Sequence, residues 1–149
     1  MILISHRGNT VGRRSSLENT LTAIKVAIEA GYDVEIDVQK IDALHVFLGH
    51  DKAEHAIDLK TFVLLKDKLW CHAKNIDVLP GLIENGFNCF YHETDRCTLT
   101  SNGYIWTFPG NKLTNKSICL FPDKTGEVYA GCAGICSDNI HLYEAEKEW

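Results

Sequence analysis

The chain has no apolar run near the ~20 residues that a bilayer-spanning helix requires. It also has no surplus of basic charge. Its 149 residues carry 15 Lys and Arg against 20 Asp and Glu, a net charge of −5. Nucleic acids and anionic membrane surfaces are bound through basic patches, so neither is expected as a partner. There is no C-x-x-C pair: Cys132 and Cys136 are spaced by four, which is not the usual zinc-knuckle spacing. No repeat of fixed period is evident. The opening MILISHRG reaches a charge too early for a secretory signal, which leads us to expect a cytoplasmic protein. Its six cysteines would then stay reduced. Cys71, Cys89, Cys119 and Cys136 lie in apolar runs, where a thiol packs as a small hydrophobe.

What is present is a chain that is 45% hydrophobic, long enough to form one domain, 1–149, around a real core. Ile2–Gly8, ILISHRG, reads as a buried strand that stops on a histidine, an arginine and a glycine. Chemistry at the carboxyl end of a strand is where α/β folds place their active sites. After a polar loop over 9–16, residues 16–31 read as a helix with Leu21, Ile24, Ala27 and Ile28 on one face. Ser15, Ser16 or Asn19 would cap it, and Gly31 would end it. Tyr32–Val38, YDVEIDV, alternates strictly, so Asp33, Glu35 and Asp37 share a face. Carboxylates on a covered face repel one another unless a cation or proton lies between them. Glu35 and Asp37 are therefore candidate ligands of a hard, oxygen-seeking cation.

LHVFLG leads into His50-Asp51, repeating the pattern of a strand that ends on histidine. A second helix is expected over 56–66, burying Ile57, Phe62 and Leu65. A strand is expected over 68–75, with His72 and Lys74 pointing to one side. A third, short helix is expected over 76–85, with Pro80 in its first turn. From Phe87 the pattern changes to strand-like runs, FNCFYHETD, GYIWTFPG, KSICLFPD and CAGICSDN. Their spacing leaves almost no room for crossover helices. The tail, 141–149, reads as a short helix or frayed end.

Taken together, His6-Arg7-Gly8, Glu18-Asn19-Thr20, Glu35-x-Asp37 and Gly49-His50-Asp51 resemble, in order and spacing, the glycerophosphodiester phosphodiesterase family, relatives of the phosphatidylinositol-specific phospholipase C-like barrels. His72-x-Lys74 lies where that family has Glu-x-Lys. Tyr104-Ile-Trp106-Thr107 looks like its Trp-Thr strand, and Gly134–Asp138 like its closing strand. The resemblance implies an α/β protein with a reduced or incomplete TIM-type (β/α) barrel, its helices mainly in the N-terminal half. It implies hydrolysis of a glycerol phosphodiester, a small-molecule substrate. His6 and His50 would be the acid/base pair, and Arg7 and Lys74 would hold the phosphate. Glu35 and Asp37, with His72, would bind a divalent metal, usually Mg²⁺ or Ca²⁺. His92 and Trp106 would line the pocket near the leaving group, although a lone aromatic or histidine on a strand is more often structural.

The chain departs from the family pattern in two ways. His72 replaces the third metal-binding glutamate, and the chain is shorter than the ~250 residues typical of such barrels. A parallel strand without a helix over it exposes an apolar face. Either a partner covers that half or its wall is rebuilt, and of the two we expect self-association through the 87–139 half, giving a homo-oligomer. A protein that binds a phosphorylated ligand without turnover is the alternative functional reading.

Overall fold

The computed structural model describes residues 1–147. Its strands are β1 (Ile2–His6), β2 (Asp33–Ile41), β3 (His45–Leu48), β4 (His55–Asp58), β5 (Leu69–Ala73), β6 (Asn88–Phe90), β7 (Cys97–Leu99), β8 (Ile105–Thr107), β9 (Ser117–Leu120) and β10 (Gly134–Ser137). The α-helices are α1 (Leu21–Glu29), α2 (Leu59–Leu64), α3 (Leu79–Glu84) and α4 (Pro122–Thr125). The strands form one ten-stranded mixed sheet. Its core is parallel, in the order β6-β5-β2-β1-β10-β9-β8. The first strand therefore lies between the second and the last. The β3–β4 hairpin adds to β2 antiparallel, and β7 adds antiparallel to β8.

The first half is covered by helices, as its periodicity requires. Ile24 and Ala27 of α1, Phe62 of α2 and Leu82 of α3 pack with Val34, Ile36 and Val38 of β2 and with Cys71 and Ala73 of β5. The second half is covered differently. Leu3 of β1 and Ile135 of β10 are buried against Tyr32 and against Ile140 and Tyr143 of the 3₁₀ segment Ile140–Glu146. The chain thus rebuilds part of that wall with its own tail. Leu99 and Val128 of the same half remain exposed. On the other face of the sheet a second apolar cluster draws Ile4, Trp70, Phe90, Trp106, Ile118, Leu120 and Cys136 from six different strands.

Several elements differ from the sequence expectation. α1 begins at Leu21 rather than near Ser16, and its cap is Thr20, whose hydroxyl accepts from the Ala23 N–H. None of the three expected caps serves, because Asn19 adopts a left-handed conformation and its side chain is committed elsewhere. The single helix expected over 56–66 is split. His55–Asp58 pairs with β3 as a strand, and Asp58 then caps α2 through the Lys60 and Thr61 N–H groups. The helix expected over 76–85 is a 3₁₀ turn, Ile76–Val78, followed by α3. β7 and α4 were not legible in advance, being only three and four residues long. All six cysteines are free; Cys97 is exposed and the other five are buried. Trp149 lies outside the described residues. Among the described residues no helix is long and apolar enough to cross a membrane.

Candidate active site

The register of the central strands brings the polar residues to one level. His6 of β1 pairs with Glu35 of β2, and Asp37 of β2 with His72 of β5. Alternation then sends Glu35, Asp37, His72 and Lys74 to one face. Just past β1 the chain turns sharply, with Arg7 at φ 54° and Gly8 at φ 85°. Glycine is required at position 8 because a Cβ there would lie 2.8 Å from the Ala23 Cβ of α1. The turn is fastened by the Arg7 N–H, which donates to the Glu35 carbonyl at 2.9 Å and approaches its carboxylate at 3.3 Å.

The Glu18-Asn19-Thr20 triplet has three separate roles. Glu18 accepts from Asn9, Arg7 and Arg13 at 2.9–3.2 Å. Asn19 clamps Asp37 twice, donating to its carboxylate at 3.0 Å and accepting from its backbone N–H at 2.9 Å. Thr20 caps α1. Only the motif, and not these roles, was readable in the sequence.

Glu35, Asp37 and His72 are buried together, with one ligand atom from each within 4.8 Å of the others. His72 Nδ1 lies 3.2 Å from Asp37 Oδ1 and 3.8 Å from Glu35 Oε1. Arg7 Nε lies 3.0 Å from Asp37 Oδ2, and Lys74 Nζ lies 3.8 Å from Oδ1. Burial and the neighbouring Asp37 push Glu35 well above the usual carboxylate range, against Arg7 and Lys74. Burial acts the same way on Asp37, but His72, Arg7 and Asn19 outweigh it and hold that carboxyl below its usual value. Burial lowers His72 against the pull of Asp37, favouring a neutral imidazole. Among the described residues Asp37 Oδ1 accepts no hydrogen bond although it is fully buried. Its nearest donors, His72 Nδ1 at 3.2 Å and Lys74 Nζ at 3.8 Å, make ion-pair contacts only, and a buried carboxylate oxygen short of a hydrogen bond is costly. With a second carboxylate and an imidazole nitrogen beside it, the set fits a divalent cation.

His6 Nδ1 lies 2.7 Å from Asp138 Oδ1, and its Nε2 lies 3.8 Å from Glu35 Oε2. Asp138 is itself held by Asn9 at 3.0 Å and Lys124 at 2.6 Å. Burial raises the Asp138 carboxyl, but the His6 and Lys124 contacts overcome this and hold it well below its usual value. An ionised Asp138 selects the His6 tautomer with the proton on Nδ1. Phe121, strained at φ 51°, packs edge-on against the His6 ring at 4.8 Å.

His50 follows Gly49, where a Cβ would strike the Lys52 carbonyl. Gln39 ties this turn to β2 by donating to the Gly49 and His50 carbonyls. His50 Nδ1 meets Asp51 Oδ1 at 2.7 Å.

A cavity of about 340 Å³ opens at this end of the sheet. His6, Arg7, Glu35, His50, His72 and Lys74 line it, and so does Trp106. Asp37 lies behind His72 and Arg7. Trp106 is buried, stacked on Phe90 at 4.6 Å, and forms an apolar wall with Phe108 and Phe121. His92 stacks on His72 at 4.5 Å and also lines the cavity. Sequence reasoning missed Asp138, Lys124 and Asn9 as supports, because they meet only once β10 lies beside β1, which brings Asp138 to His6 and Asn9 across 132 and 129 positions. Compared with protein-family models, with characterised proteins and with solved structures, the chain matches none.

Proposed function

We propose that the chain is a phosphoric diester hydrolase acting on a glycerophosphodiester-like substrate. The carrying observation is that His6, His50, Arg7 and Lys74 line one cavity together with Glu35 and His72, two of the three residues that could hold a cation. Phosphodiester cleavage needs a base for the attacking oxygen, an acid for the leaving oxygen, and positive charge for the phosphoryl oxygens. Each histidine has a carboxylate at Nδ1, which leaves Nε2 for proton work at the substrate. One takes a proton from the attacking water as the new P–O bond forms. The other protonates the departing alcohol as the old P–O bond breaks. Arg7, braced by Glu18 and Asp37, and Lys74 offer N–H donors to the phosphate. A divalent cation held by Glu35, Asp37 and His72 would add charge to the phosphoryl oxygens.

The same reading takes the sheet as a reduced (β/α) barrel. In support, the inner cluster collects side chains from six strands. Phe90 of β6 stacks on Trp106 of β8, between strands that no ladder joins among the described residues. Between β7 and β8, the Ser101 N–H also donates to the Cys89 carbonyl of β6 at 2.8 Å, and its hydroxyl accepts from the Cys89 N–H at 2.9 Å, so ring stacking and loop hydrogen bonds together join the two ends of the sheet.

The test is hydrolysis of bis(p-nitrophenyl) phosphate and glycerophosphocholine by wild type, His6→Ala and His50→Ala, across divalent cations and EDTA. Turnover is expected, with kcat falling about 10²-fold or more in either variant. No turnover with any cation would retire the enzyme in favour of the phosphate-ligand-binding protein.

A further inference from the structure

We propose that the Glu35–Asp37–His72 site selects a borderline transition-metal dication, of the Zn²⁺ or Co²⁺ kind, over Mg²⁺ and Ca²⁺. This rests on reading the three residues as cation ligands, and it goes beyond the phosphodiester chemistry assigned to the cavity.

The donor set points this way first. Mg²⁺ and Ca²⁺ prefer shells made of oxygen, whereas imidazole nitrogen suits Zn²⁺ and its neighbours. His72 is not a ligand the site can easily put aside. It is only 9% exposed, and its ring is stacked on Phe90 at 5.0 Å and on His92 at 4.5 Å, with interplanar angles of 10° and 13°. That stack aims Nδ1 at both carboxylates.

Two neighbouring carboxylates are already engaged. Glu18 is committed to Asn9, Arg7 and Arg13, and Asp138 to His6, Asn9 and Lys124.

The local charge balance is a second, independent observation. Arg7 and Lys74 both lie against Asp37, at 3.0 and 3.8 Å. Two cations thus offset the two carboxylates. Affinity for Ca²⁺ depends on ligand charge count, so a nearly neutral cage serves hard ions poorly. A metal that forms a strong bond to nitrogen relies less on that charge. Asp37 Oδ1, buried and without a hydrogen bond but 3.2 Å from His72 Nδ1, offers an oxygen to the same ion.

The experiment titrates the full chain with each metal ion alone. Co²⁺ is followed by visible absorption, and Zn²⁺, Mg²⁺ and Ca²⁺ by displacement of Co²⁺ and by calorimetry. Zn²⁺ and Co²⁺ are expected to bind at least 100-fold more tightly than Mg²⁺ or Ca²⁺. His72→Glu is expected to move that ratio at least tenfold toward Mg²⁺ and to change the Co²⁺ spectrum. If His72→Glu does not fold, the wild-type ratio alone decides. Mg²⁺ or Ca²⁺ binding as tightly as Zn²⁺, an unchanged ratio in a folded His72→Glu, or no binding of any ion would overturn the proposal. Hydrolysis assays run in parallel separate the two readings. A zinc-preferring chain without turnover retires the phosphodiesterase and keeps the site assignment, while Mg²⁺-preferring turnover does the reverse.

Discussion

Asp138 ties the histidine chemistry to acid stability. It bonds His6 and Lys124, and its carboxyl is held below the ordinary value. A depressed folded pKa means that the folded chain binds fewer protons than the unfolded chain. The resulting stabilisation is complete above about pH 4 and is lost as pH falls through the folded value. Asp138→Asn is therefore expected to flatten the acid limb of stability against pH, measured by urea denaturation from pH 2 to 7. The same variant frees the His6 tautomer, so kcat/KM for diester hydrolysis should drop about 10–100-fold. Unchanged kinetics would remove His6 from the acid/base pair. Asn19 makes a separate case: its two bonds to Asp37 serve a buried carboxylate. Asn19→Ala is expected to cost about 1–3 kcal/mol in chemical denaturation.

At the level of elements, the β1–α1 connection sets the geometry of the site. Arg7 reaches the cavity because the chain turns through positive φ at residues 7 and 8, and α1 then packs against the turn. An alanine at position 8 would meet both the backbone strain and the Ala23 Cβ at 2.8 Å. Gly8→Ala should lose more than about 1 kcal/mol of stability, read as a fall in denaturation midpoint, and should also lower diesterase activity. By contrast, the 56–66 segment shows how local pattern misleads. Ile57, Phe62 and Leu65 fit a helical face, yet the first lies on an edge strand. Pairing with β3 satisfies four residues of backbone that a single helix would have had to carry. The Asp58 carboxylate then restarts the chain as α2.

For the whole molecule, aromatic packing joins strands that no ladder pairs among the described residues. Trp106 is 3% exposed and stacks on Phe90, between β6 and β8. Trp106→Ala is expected to destabilise the fold by about 3–5 kcal/mol, seen in thermal or urea melts, and to enlarge the cavity from its apolar wall. The 87–139 half carries only the four-residue α4 as an α-helix, and Leu99 and Val128 of that half remain exposed. Self-association proposed from this half would give a mass above the monomer's 16.7 kDa by light scattering at micromolar concentration. A monomer would count against it.

The positions of His6, Arg7, Glu35, Asp37, His50, His72 and Lys74 could be read from the chain because short-range rules govern them. Period-two alternation puts Glu35 with Asp37, and His72 with Lys74, on one side of their strands, while His6, Arg7 and His50 were joined to them by a resemblance in motif order and spacing. The cores of α1, β1, β2 and β5 followed from the same rules. Alternation does not say which strands become neighbours. That β10 lies beside β1, so that Asp138 meets His6, depends on 132 residues of intervening chain. The caps of α1 and the split at Asp58 depended on competing hydrogen bonds that only the assembled sheet could decide. That position 72 offers the site a nitrogen rather than an oxygen was plain from the sequence. That its ring stacks on Phe90 and His92 was decided by tertiary packing, because β5 and β6 must first become neighbours.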